Sequence, residues 1–133
     1  MNKTLRVLVV DDDESHRRGL MALLEFAEGI EVTCEASNGC EALSIVAAEQ
    51  PDVVLMDVRM PIMDGLEATR QIKERWPQVK VIVATMYPSH KEDALAAGAD
   101  RVLLKGSMRA NLEDVIREVA SSDEPRTTSR VET

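Results

Sequence analysis

Short runs of consecutive apolar residues alternate along this chain with stretches in which apolar residues recur every three or four positions. The runs LRVLVV at 5–10, DVVLMD at 52–57, VKVIVA at 79–84 and RVLL at 101–104 have the length and β-branched content of strands buried on both faces. EVTCEA at 31–36 alternates weakly and predicts one more strand, the second in chain order. Leu20, Leu23, Leu24 and Ala27 fall at i, i+3, i+4 and i+7, which predicts a helix over about 15–28 with Gly29 as its stop. After the Asn38-Gly39 turn, a second helix over 41–49 turns Ala42, Ile45 and Val46 inward and ends at Pro51. A third, over 65–76, aligns Leu66, Thr69, Ile72 and Trp76, and Pro77 stops it. Pro88 opens an Ala-rich helix to about Ala97, with Gly98 as its cap. Ser107 is the expected N-cap of a last helix carrying Met108, Leu112, Val115, Ile116 and Val119. From Ser121 to Thr133 the pattern disappears into a polar tail or interdomain linker.

Strand and helix alternate five times. That order predicts an α/β fold with right-handed crossovers and helices on both faces of a parallel sheet. The expected architecture is a flavodoxin-like, doubly wound, five-stranded parallel sheet of order 2-1-3-4-5 with five helices. The expected domain spans residues 1–120, followed by the tail at 121–133.

With 133 residues, 44% of them apolar, the chain can bury a core of its own. Its longest apolar runs fall far short of the roughly 20 residues that a membrane span needs. The N-terminal apolar run is too short for a signal peptide and meets three acids, so a cytoplasmic location is expected. Cys34 and Cys40 show no metal-like spacing and read as small packed residues. The net charge of −8 argues against direct nucleic acid binding by this domain, since phosphate contacts need clustered Lys and Arg.

The predicted topology gives the polar strand ends a chemical meaning. The tips of the first, third, fourth and fifth strands carry Asp11-Asp12, Asp57, Thr85 and Lys105. In such a sheet these tips share one edge, the edge where ligands bind. Taken singly, each has a plain explanation: a turn Asp, an N-cap run, a solvated Lys, an ordinary Thr. Their convergence changes the odds. Carboxylates that crowd together call for a cation, and hard oxygen ligands suit Mg²⁺. A carboxylate nucleophile, a metal, an ammonium and a hydroxyl describe a site for a phosphoryl group that would become an acyl phosphate on Asp57.

The pieces VVDDDES, VLMDVRMPIMDG, VATMYPS and GADRVLLKGS, in this order, resemble the receiver domains of two-component response regulators. The likeness covers about residues 4–120, and the LLKGS ending and Tyr87 are most similar to receivers of LuxR-type transcriptional regulators. The resemblance implies that Asp57 accepts phosphate from a sensor histidine kinase. It implies that Asp12, Asp57 and the backbone carbonyl of Arg59 bind Mg²⁺, with Asp11 helping through water, and that Thr85 and Lys105 contact the phosphoryl oxygens. It implies a domain that is no enzyme beyond its own phosphoryl uptake and dephosphorylation. A homodimer would form through the fourth helix, fifth strand and fifth helix, or through the first and fifth helices. Two positions depart from the family. Val102 stands where an aromatic often couples to the Thr, and Lys105-Gly106 replaces the usual Lys-Pro.

LuxR-type receivers are normally followed by a helix-turn-helix output domain, so transcriptional control through such a domain is expected. The alternative is a stand-alone receiver that acts by protein contacts or as a phosphorelay intermediate. A flavin binder on this fold would need a phosphate loop where DDDES lies, and a haloacid-dehalogenase-type phosphatase a second Asp at the position of Arg59. The resemblance implies that the residues two after Asp57 and two after Thr85 flank the path of the attacking water; here they are Arg59 and Tyr87, both large, and with bulky Met86 they predict a long-lived phospho-Asp57 through occlusion of that water.

Overall fold

The computed structural model describes residues 3–122. Five parallel strands, β1 (Leu5–Val10), β2 (Ile30–Ala36), β3 (Val53–Asp57), β4 (Lys80–Thr85) and β5 (Arg101–Leu104), lie in the order β2-β1-β3-β4-β5. Five helices connect and follow them: α1 (Glu14–Leu24), α2 (Gly39–Glu49), α3 (Gly65–Arg75), α4 (Lys91–Ala96) and α5 (Met108–Ala120). The expected fold class and strand order are those observed.

The strand residues divide by parity, as the pleat requires. Leu8, Val10, Val54, Met56, Val81 and Val83 pack with Ala42 and Val46 of α2, Ala68 and Ile72 of α3 and Ala94 of α4. Val7, Val9, Val53, Leu55, Ile82 and Ala84 pack instead with Leu20 and Leu24 of α1 and Leu112, Val115, Ile116 and Val119 of α5. The central strand β3 is therefore buried along its whole length, including its terminal Asp57.

Helix starts follow local chemistry. The side chains of Asp13, Asn38 and Asp64 accept hydrogen bonds from the N–H groups of His16, Glu41 and Glu67, capping α1, α2 and α3. Other boundaries differ from expectation. Helix α1 ends at Leu24 rather than Glu28, and Phe26, in the turn that follows, is 89% exposed. The segment after Pro88 begins as a 3₁₀ turn, Pro88–His90, before α4. Ser107 makes no side-chain cap bond; it lies in a second 3₁₀ turn, Lys105–Ser107, that leads into α5. Gly98, with φ of 104°, follows the C-cap of α4 as expected, whereas Gly29, with φ of 76°, lies five residues beyond the end of α1 and turns the chain into β2. Among the described residues no helix is long and apolar enough to cross a membrane. The expected tail lies outside the described residues beyond Ser122.

Candidate functional site

Register builds the site. Val10 pairs with Met56, so the next residues, Asp11 and Asp57, emerge side by side. Thr85 pairs with Leu104, which places Lys105 one residue beyond on the same edge. One ligand oxygen from each of Asp11, Asp12 and Asp57 lies within 4.8 Å of the others.

Asp11 is 2% exposed and heavily engaged. Its Oδ1 accepts the Asp13 N–H at 2.9 Å, its Oδ2 contacts His16 Nδ1, and its carbonyl accepts from Arg17 Nη1 at 2.7 Å. Arg17 in turn pairs with Glu35 at 2.6 Å, holding α1 to β2 at this edge. Asp12 is exposed and so free to meet a cation. Lys105 Nζ lies 2.8 Å from Asp57 Oδ1 and 3.6 Å from Asp11 Oδ2, bridging the two buried acids. The same Asp57 oxygen accepts the Val58 N–H at 2.9 Å.

Burial pushes the Asp57 carboxyl above the ordinary carboxylate range; the Lys105 bond opposes that rise without cancelling it, and the Asp11 charge adds to it. A more basic carboxylate, fixed by one ammonium and one amide, is a competent nucleophile once it is ionised. Gly65 fixes the approach from below. A Cβ on Gly65 would lie 1.7 Å from the Asp57 carbonyl oxygen, and the Gly65 N–H donates to Val58 at 2.8 Å. Only glycine lets α3 start this close to the end of β3.

The structure thus brings Asp11, Asp12, Asp57 and Lys105 together. Thr85 stands on the same edge, 2% exposed, but its Oγ1 bonds to His90 Nδ1 at 2.6 Å and to the Tyr87 N–H at 3.1 Å. Among the described residues it makes no hydrogen bond to Asp57. The Arg59 guanidinium lies over the Tyr87 ring, 5.4 Å from its centroid. His16, Arg17 and His90 were not foreseen. His16 and Arg17 follow Asp11 by one to two helical turns of a helix capped by Asp13, a spacing visible in DDDESHRR. The approach of His90 to Thr85 depends on the 3₁₀ turn and left no periodic trace.

Comparison with known proteins agrees with this geometry. Residues 7–117 match the family described as response regulator receiver domain. The transcriptional regulatory protein LiaR of Bacillus subtilis is 43% identical over 129 residues, which make up 96% of this chain and 61% of LiaR. The chain spans about three-fifths of the length of the curated relatives it matches. The receiver domain of the response regulator NarL from Mycobacterium tuberculosis superposes with a TM-score of 0.85 at 31% identity, over 90% of this chain and 98% of that one. TrrA of Thermotoga maritima, solved in complex with Mg²⁺-BeF, gives 0.78 at 32% identity, over 90% and 99%. With a buried strand-end Asp beside an acidic pair and a lysine, on this sheet and over this length, the chain belongs to the response regulator receiver domains of two-component signalling.

Proposed function

We propose that Asp57 is the phosphoacceptor of this receiver and that a sensor histidine kinase is its donor. One carboxylate oxygen of Asp57 attacks phosphorus, the bond from phosphorus to the donor imidazole breaks, and the imidazole leaves with a proton from solvent. Lys105, already 2.8 Å from Asp57, would pair with a phosphoryl oxygen, and Thr85 would donate its hydroxyl to another. Receiver domains are generally Mg²⁺-dependent, and three convergent carboxylate oxygens fit a hard, partly hydrated cation. Asp12, Asp57 and the Arg59 backbone carbonyl would hold it, with Asp11 acting through water. No backbone hydrogen bond among the described residues uses that carbonyl. Bound Mg²⁺ supplies positive charge against the phosphoryl oxygens.

The observation that carries this reading is the cluster of Asp11, Asp12 and Asp57 oxygens within 4.8 Å, with Lys105 on Asp57. TrrA, similar in fold, holds Mg²⁺-BeF. The domain would catalyse its own phosphoryl uptake and loss and nothing else. Residues 1–120 would form the receiver and 121–133 a linker. The output would be transcriptional, through a helix-turn-helix domain beyond residue 133 and in the cytoplasm; LiaR is named as a transcriptional regulator. Dimerisation would use the α4–β5–α5 face, or α1 and α5, and the acidic receiver would not touch nucleic acid itself. The test is incubation with acetyl phosphate and Mg²⁺ followed by intact mass. One added phosphoryl group is expected on the wild type and none on Asp57→Asn. Equal uptake by both would overturn the assignment.

A further inference from the structure

The hydroxyl that Thr85 would give to a phosphoryl group is already committed elsewhere. Thr85 Oγ1 accepts the Tyr87 N–H at 3.1 Å and lies 2.6 Å from His90 Nδ1. A hydroxyl owns one proton and two lone pairs. With one lone pair taken by Tyr87, either Thr85 donates to an unprotonated Nδ1 or a protonated Nδ1 donates to the second lone pair. In the first arrangement the bond uses the only proton Thr85 has to give.

His90 is itself held in place. Its ring meets the edge of Tyr87, centroids 5.4 Å apart at 72°, and the His90 backbone N–H donates to the Tyr87 carbonyl at 3.0 Å. Tyr87 lies under the Arg59 guanidinium. His90 also ends the 3₁₀ turn and directly precedes α4. The position on β5 where receivers often carry an aromatic is Val102, which packs partly buried against the core and offers no polar atom.

We propose that His90 is a latch on Thr85. In the unphosphorylated protein its Nδ1 takes the hydroxyl proton, and breaking that bond frees Thr85 for the phosphoryl group and releases the start of α4. His90 is a positioning residue: among the described residues it makes no hydrogen bond to Asp57 or Lys105. The latch rests on the reading of Asp57 and Thr85 given above. Because the bond must be broken for Thr85 to turn, its loss favours the phosphoryl-bound state. A net hydrogen bond of ordinary strength corresponds to about a two- to tenfold change in affinity.

The experiment measures binding of beryllofluoride with Mg²⁺, as a phosphoryl surrogate, by calorimetry. His90→Phe keeps a ring beside Tyr87 and removes the acceptor; His90→Ala removes both; His90→Asn sets an amide oxygen close to where Nδ1 stands. The latch predicts tighter binding by Phe and Ala, by about two- to tenfold, and wild-type affinity for Asn. In a Thr85→Val background, His90→Phe should change nothing. Nitrogen NMR should show an unprotonated His90 Nδ1 whose shift moves when beryllofluoride binds. Wild-type affinity in Phe and Ala, Asn behaving like Phe, or a protonated Nδ1 would overturn the latch. A wild type that binds no beryllofluoride, or binding that survives Asp57→Asn unweakened, would overturn the site assignment itself and the latch with it.

Discussion

Replacing Gly65 by alanine should damage stability and phosphoryl uptake together. The added Cβ would lie 1.7 Å from the Asp57 carbonyl oxygen and 2.8 Å from its carbon. Real Cβ atoms essentially never approach closer than 3.0 Å, so moving from 1.7 to 3.0 Å requires a retreat of about 1.3 Å. Both partners are backbone, and no rotamer change relieves the clash. Alanine is the better helix former by about 1 kcal/mol, but overpacking costs about 1–3 kcal/mol when side chains can adjust and more when they cannot. The clash wins, with a net loss of about 2 kcal/mol or more and a fall in melting temperature on the order of 8 °C. The same retreat moves Asp57, and misplacement of a reacting group costs on the order of 100-fold in rate per ångström in sensitive cases. Uptake from acetyl phosphate should therefore slow by about two orders of magnitude. Thermal unfolding by circular dichroism and a time course of intact mass read the two effects. Gly19→Ala is the control: nothing lies within 4 Å of its Cβ position in mid-α1, so that variant should gain up to about 1 kcal/mol. A Gly65→Ala protein with wild-type melting temperature and wild-type uptake would refute the argument that this glycine seats Asp57.

Without Mg²⁺, Asp57→Asn should be more stable than the wild type at neutral pH. The raised pKa of Asp57 means that the folded state resists ionisation, so a penalty builds as pH rises from the ordinary carboxylate range through the folded value; the advantage of Asn should vanish as pH is lowered through that window, as denaturant titrations at several pH values would show. Lys73→Ala should cost about 1–3 kcal/mol in a urea titration, because Lys73 Nζ is 2.9 Å from Asp100 and bonds the Pro77 and Val79 carbonyls, and its loss leaves the part-buried Asp100 carboxylate with the Val81 N–H alone. Phospho-Asp57 should lose phosphate faster in the double variant Arg59→Ala, Tyr87→Ala than in the wild type, since the stacked pair stands on the loops that follow Asp57 and Thr85; an unchanged decay of the phosphoprotein mass would rule out occlusion.

How far the sequence could be read depended on how local the determining physics was. Val53–Met56 and Val81–Ala84 form an uninterrupted apolar pattern because their strands are covered on both faces, and that pattern survives any detail of packing. Strand order then set Asp11, Asp57 and Lys105 on one edge before any side chain was placed. Helix ends were harder. Ala27 extends the stripe of α1 beyond the point where the chain turns, and Phe26 stands exposed there. Ser107 has the composition of a cap without the geometry, since a 3₁₀ turn intervenes. The partners of Thr85 and Lys73 were hidden for a related reason. His90 reaches Thr85 through an irregular turn, and Lys73 reaches Asp100 across 27 positions, so neither contact has a periodic signature.

Asp57 is proposed as the one acid that takes the phosphoryl group, and chemical mapping would locate the modified residue. The protein would be phosphorylated with a phosphorylated sensor kinase and Mg²⁺, then treated with borohydride, which reduces an aspartyl phosphate to homoserine. Peptide mass spectrometry should find homoserine at position 57, with Asp11 and Asp12 intact. Homoserine at position 11 or 12, or a phosphorylated protein with Asp57 unmodified, would contradict it.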